Sequence, residues 1–324
     1  MNTNQYSMEN CLFEMIKLWL KKEVNLEVND SFLYLACCNI GFEYESQKVQ
    51  TGSSFPKINI LQKMDKDMLS KHLRIHITEN NSSDTEKVWY EIEKELLANE
   101  MIVVRGGVSL LPELENKRTV TYFAIQDYDQ EKGIVYISSV YFSGPITVDL
   151  LKKIMYETIE FEESPNNWLK FQLNGIPKFG NKKLYNLLLK NLEDPNLIEK
   201  SMNNMKNFID DFATIKNLKY SLSKIIITYI NDIMFNPLAP PSTRKQLYMT
   251  IDELYHAGYL NKACLNKCEK LAMEWKKVKL NFAKEAMKPS DNFIQWVSNK
   301  LVEISELEYD TLNEIILSTK GAKV

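Results

Sequence analysis

Between Gly180 and Gly258 the chain carries no glycine, whereas eight of its ten glycines fall within the first 180 residues. Glycine supplies the backbone conformations that tight hairpins need, so a long stretch without it has few ways to fold as sheet. From about Asn181 onward the apolar residues keep helical spacing, as in "LYNLLLKNL". The spacing is broken at "MFNPLAPPST" (234–243) and "MKPSDN" (287–292), which predicts four to six helices. The glycine-bearing part mixes both periods. The expected class is therefore α+β, with a mixed domain over residues 1–178 and an all-helical domain over residues 179–324.

In the first part, Leu12, Met15, Ile16, Trp19 and Leu20 predict a helix from about Asn10 to Lys22, with Ser7 or Asn10 as its cap. "FLYLACCNIGFEYES" reads as a short helix and turn packed beneath it, and "HLRIHIT" alternates as a strand. "SSDTEKVWYEIEKELLANE" predicts a helix capped by Ser83 or Asp84 with Val88, Ile92 and Leu96 on one face. "MIVVRGG" reads as a buried strand. Residues 119–126 and 134–141 are β-branched and aromatic, and the intervening "DYDQEKG" is turn chemistry, so a hairpin is expected there. A helix beginning at Thr147 and a strand in "NNWLKFQLNG" complete this part.

A net charge of −3 gives no electrostatic footprint for nucleic acid or an anionic membrane. No apolar run approaches the roughly 18 residues that a membrane span requires. "MNTNQYSMENCLFEM" lacks a basic segment followed by an apolar one, so a secretory signal is not expected. Five cysteines without framework spacing fit a reducing cytoplasm.

Cys11 is the leading chemical candidate. It stands at the start of a helix, where unpaired backbone N–H groups and the helix dipole favour a thiolate, and Gln5 lies six positions before it. The alternative is a small hydrophobe opening an amphipathic helix. His72 and His76 share a strand face with Arg74 in the alternating reading, and no acid at a supporting spacing completes a metal site. His256 lies in the helical part. Cys264 and Cys268 are one helical turn apart, which is the pattern of a buried seam, and Cys37-Cys38 is most simply core. Gly106-Gly107 has none of the lysine and serine or threonine that a phosphate loop requires. No metal or other cofactor is expected.

"NCLFEMIKLWLKKEVNLEVNDSFLYLACCNIGFEYES" resembles the opening of the butirosin biosynthesis protein H family, papain-like proteins related to bacteriocin-processing cysteine peptidases. In that family a cysteine begins a helix and a glycine–phenylalanine–tyrosine-like segment follows, matched here by Gly41, Phe42 and Glu43-Tyr44. "EMIVVRGGVSLLPE" is similar to a family stretch ending in Leu-Pro (Leu111, Pro112), and "LAMEWKKVK" is similar to part of its C-terminal region. The family's strand that opens with a catalytic histidine, and the following strand with its Asp-Pro end, are matched by "TYFAIQDYD" and "VYISSVYFSGPITVDLLKKI".

The resemblance implies a papain-like domain over residues 1–178. It also implies acyl or aminoacyl transfer from a carrier-protein thioester to an amine in specialised-metabolite (nonribosomal-type) biosynthesis. Cys11 would be the nucleophile, Gln5 an oxyanion donor, and the partners an acyl or peptidyl carrier protein and a small-molecule amine. Two positions depart from it. Thr121 stands where the family has its histidine and Ser139 where it has the orienting aspartate, while Asp127 replaces the turn glycine. Losing a positioned acid–base group costs about 10²–10⁴ in rate, and losing both partners removes the ion pair that would hold a thiolate. Two expectations follow: a handicapped acyltransferase acting through Cys11, or a catalytically silent protein that binds a carrier protein, a peptide or a pathway enzyme. In either case strand parity groups Thr121 with Phe123 and Ile125, and the family pattern would turn that face toward Cys11.

Overall fold

The computed structural model describes residues 8–51, 53–112, 114–115, 120–161, 165–177, 179–218, 220–236, 238–287 and 292–321. Helix α1 (Met8–Val24) is followed by α2 (Asp30–Cys37), the strands β1 (Glu45–Thr51) and β2 (Ser53–Asn59), and α3 (Lys66–Leu73). Next come β3 (Ile75–Asn80), α4 (Thr85–Leu97), β4 (Ile102–Gly107), β5 (Val120–Asp129), β6 (Ile134–Ser138) and β7 (Ser143–Thr147). Helix α5 (Val148–Tyr156) leads to β8 (Trp168–Leu173). The helices α6 (Asn181–Asn191), α7 (Leu197–Thr214), α8 (Tyr220–Met234), α9 (Pro240–His256), α10 (Lys262–Met287) and α11 (Phe293–Gly321) complete the described chain.

The chain separates into two compact units, one formed by the part up to Asn29 with Lys66–Pro177, the other by Asp30–Asp65 with the part from Lys178 onward. The first unit holds a six-stranded antiparallel sheet in the order β3-β8-β4-β5-β6-β7. The mixed helix-and-strand class expected for this part is what the structure has. Strand β4 lies between β8 and β5 and is buried along its whole length, as a run of β-branched residues ending in a glycine pair suggests. Asp84 caps α4 by accepting from the Lys87 N–H at 3.0 Å, and Thr147 caps α5 by accepting from that of Leu150 at 3.2 Å.

The two faces of this sheet bury different helices. Ile102, Val104, Phe123, Ile125 and Trp168 pack with Val88 and Ile92 of α4 and Leu151 and Ile154 of α5. The opposite parity carries Val103, Leu169 and Phe171, and there the ring of Trp19 on α1 meets Phe171 edge-on at 5.4 Å. Gly106 and Gly107 are explained by close approach. A Cβ at Gly106 would overlap the Ile154 side chain and reach 2.9 Å from its carbonyl oxygen, and one at Gly107 would overlap the Glu157 carboxylate.

Two readings of the first part require correction. The expected continuous domain of residues 1–178 is interrupted, because residues 30–65 belong to the same compact unit as the helical part of the chain. Phe42, Ile58 and Ile60 join a core with Phe208, Trp275 and Leu301. Phe42 stacks on Trp275 with ring centroids 5.8 Å apart, its N–H donates to Ser201 Oγ, and its carbonyl accepts from Asn204 Nδ2. "HLRIHIT" is likewise not one strand. His72 ends a turn of α3, Arg74 adopts a left-handed φ of 59°, and only then does β3 begin, so His72 and His76 do not share a strand face.

In the helical unit, Arg244 of α9 donates from Nε to Glu308 Oε1 of α11 at 2.6 Å, with both side chains 1% exposed. Trp275 of α10 donates from Nε1 to the same oxygen at 2.9 Å, so one carboxylate ties three helices. Burial raises the pKa of Tyr34 from α2, which keeps its hydroxyl neutral beside Arg244. Cys264 and Cys268 lie buried in α10, as their spacing implied; the hydrogen bond with Cys264 and burial push the Cys268 thiol up.

Two stability outcomes follow. Gly106→Ala should cost about 1–3 kcal/mol through overpacking against α5, read as a lower urea midpoint. Arg244→Met should cost about 3–5 kcal/mol, because it strands the Glu308 charge in the core. A wild-type midpoint in either variant contradicts the corresponding contact.

Candidate functional site

Cys11 is the fourth residue of α1, and so lies in the first turn of that helix. Its side chain, and Gln5 altogether, fall outside the described residues. The backbone position agrees with the dipole argument made from the sequence.

The other two positions are well defined. Thr121 lies near the start of β5, paired with Gly106, and its side chain is fully buried. The register places Gly106, Val104 and Phe123 on the same face as Thr121, and the direction a Gly106 Cβ would take runs into Ile154 of α5. Thr121 therefore points into the α4–α5 layer. The face that α1 covers carries its neighbours Tyr122 and Ala124 instead. The parity expected from the sequence is observed, but the face is the reverse of the one that a pairing with α1 needs. Thr121 Oγ1 is buried without a hydrogen-bond partner among the described residues.

Ser139 is committed to the turn between β6 and β7. Its N–H donates to the Phe142 carbonyl at 2.8 Å, and its Oγ accepts from the Tyr141 and Phe142 N–H groups, each at 3.1 Å. That arrangement is an ordinary serine turn, in which the hydroxyl substitutes for backbone partners. No hydrogen bond joins Ser139 to Thr121. His256 ends α9 in solvent, 3.4 Å from Asp252.

A polar cluster that no motif announced occupies the α1 face of the sheet. Arg105 is 9% exposed and its guanidinium lies 5.5 Å from the centroid of the Tyr122 ring. Glu79 of β3, opposite Leu169 in the register, accepts from Lys66 Nζ and from Asn167 Nδ2, each at 2.6 Å. Burial works against ionisation of Glu79, but the bonds from Lys66 and Asn167 and the charges of Lys66 and Arg105 outweigh it, so its carboxyl sits below the usual range. The one available signal was an arginine inside the apolar run "MIVVRGG". A buried charge in a strand of β-branched residues needs a partner, whatever its role.

Two hollows of this unit are lined by described residues. One, of about 640 Å³, lies between α4 and α5 and is lined by Glu86, Leu110, Lys152, Tyr156 and Glu157. The other, of about 400 Å³, lies at the C-terminal end of α1 beside Glu23, Glu100, Lys170 and Phe171. Neither is lined by Thr121 or Ser139. Among the described residues, no group of three or more His, Cys, Asp or Glu side chains is placed to hold a metal ion, and no helix is long and apolar enough to cross a membrane. No protein-family model and no curated protein matches this chain.

The Glu79 arrangement has a pH signature. A carboxyl with a depressed folded pKa contributes stability that is present above its unfolded value, about 4.3, and lost as pH falls through the folded one. Melting temperatures measured from pH 6 to pH 3 should fall more steeply below about pH 4 in wild type than in Glu79→Gln. Parallel curves would show that Glu79 is not held by these partners.

Proposed function

We propose that this chain is a catalytically silent binding protein on a papain-like frame, and that it engages a carrier protein or a peptide in specialised-metabolite assembly. The observation that carries this reading is the placement of Thr121. The position that the resemblance assigns to a general base is buried against α5, on the far side of the sheet from α1. A base must come within about 2.6–3.2 Å of the proton it takes, directly or through one water. A side chain separated from the nucleophile's helix by the sheet does not meet that requirement. Ser139 offers no substitute, since its hydroxyl closes a turn.

Acyl transfer through Cys11 is the second reading, and one observation favours it: Cys11 occupies the first turn of a 17-residue helix. Helix N-termini lower thiol pKa values, and transfer from a thioester to a free amine asks less of a base than amide hydrolysis does. On this reading Gln5 would assist at the oxyanion and the acceptor would be a small-molecule amine.

Incubation with an acyl-pantetheine thioester, followed by intact-mass measurement with and without hydroxylamine, separates the two. The binding reading predicts no hydroxylamine-labile adduct, and none that disappears in Cys11→Ser. A labile adduct that requires Cys11 would establish acyl transfer instead.

A further inference from the structure

The sequence carries a single Asn-Gly pair, Asn174-Gly175, in the bend that follows β8. Gly175 has a φ of 98°, a conformation that residues with a Cβ rarely adopt, so the backbone here calls for glycine. A Cβ at this position would also come within 2.8 Å of Arg74 Nη1. The Asn174 N–H donates to the Arg74 carbonyl at 2.9 Å, which ties the bend to the residue before β3.

Both residues are exposed. Among the described residues, neither the side-chain amide of Asn174 nor the N–H of Gly175 makes a hydrogen bond. These are the two groups that can react with each other, because the nitrogen of the following residue closes a five-membered ring on the asparagine Cγ. Three things ordinarily slow that closure: a side chain crowding the nitrogen, a hydrogen bond engaging its N–H, and burial away from the water that finishes the reaction. None of them operates at Asn174, and the reacting atoms are held on adjacent residues. Asn81 makes the contrast. It is exposed, but the next residue, Ser82, has a side chain. Ser82 is also engaged on both sides: its carbonyl accepts from Asn166 Nδ2 at 2.9 Å and its Oγ from the Asp84 N–H at 3.1 Å.

We propose that Asn174 is a self-modification site, converted to aspartate and isoaspartate through a succinimide shared with Gly175. The Gly175 nitrogen gives its proton to solvent base and attacks Asn174 Cγ. The ring C–N bond forms, the Cγ–Nδ2 bond breaks, and ammonia leaves with a proton taken from water. A water molecule then opens the ring. Cleavage of the bond to Cγ gives aspartate, and cleavage of the bond to the backbone carbonyl carbon gives isoaspartate. In net terms one water is consumed and one ammonia released, with no oxidant, cofactor or further side chain taking part. Asn174 lines the hollow of about 400 Å³ at the end of α1, so either product adds a carboxylate beside Glu23 and Glu100. Isoaspartate also inserts one atom into the backbone of the bend.

The test holds the full chain at pH 8 for several days and follows the peptides by mass, with isoaspartate detected by an isoaspartyl carboxyl methyltransferase. The Asn174 peptide should gain about one mass unit as NH₂ is replaced by OH. It should do so at least about tenfold faster than the Asn81 peptide, a difference of about 1.4 kcal/mol in barrier height. Part of the product should be isoaspartate, and the rate should rise from pH 6 to pH 8 because the attacking nitrogen must lose its proton. Asn174→Gln, which would have to close a larger ring, should lose the gain. An Asn174 rate no greater than that of Asn81, a product free of isoaspartate, or a gain that persists in Asn174→Gln would overturn the proposal.

Discussion

Strand β4 is buried on both faces, and the rest of the first unit is arranged by that requirement. A strand in this position must present side chains of alternate parity to two separate helical layers, α1 on one side and α4 with α5 on the other. Once Val104 and Phe123 belong to the α4–α5 layer, the parity of β4 and of β5 as far as Ile125 follows, Thr121 and Gly106 included; beyond Ile125 a register shift resets it. A one-residue slip would move each of these side chains to the other layer and drive Arg105 into the apolar one. The glycine pair at the end of β4 lets the chain at Ile154 and Glu157 approach closely.

The element types of this unit were legible because local chemistry and packing agree there. Caps at Asp84 and Thr147, the turn between β5 and β6, and the buried run of β4 each rest on interactions between residues close in sequence. The membership of residues 30–65 was not legible. Phe42 and Trp275 are far apart in sequence, and neither residue type reveals which partner it will stack on. The break between α3 and β3 was missed for a related reason: alternating apolar residues around Arg74 imitate a strand, and the left-handed backbone that ends the helix has no glycine to mark it.

The candidate site divides in the same way. Strand parity correctly grouped Thr121 with Phe123 and Ile125, but parity does not say which helix lies on which face. That depends on a register fixed by long-range pairing with β8. The Glu79, Asn167 and Arg105 cluster assembles three separate elements on the α1 face and left only Arg105 as a trace in the sequence. In the helical unit, Glu308 plays the equivalent organising part by holding Arg244 and Trp275 at one oxygen. Buried charges of this kind are costly unless paired, so they constrain how helices can pack as well as how firmly.

The central claim is that Thr121 and the helix carrying Cys11 lie on opposite faces of one sheet. Its most direct test is the pH profile of iodoacetamide alkylation at Cys11 in Thr121→His with Ser139→Asp, recorded beside thermal unfolding of the same variant. An imidazole on the α5 face should lower the melting temperature and leave the Cys11 profile where it is in wild type. Unchanged stability together with a profile moved to lower pH would mean that the new histidine reaches Cys11, and would contradict the account.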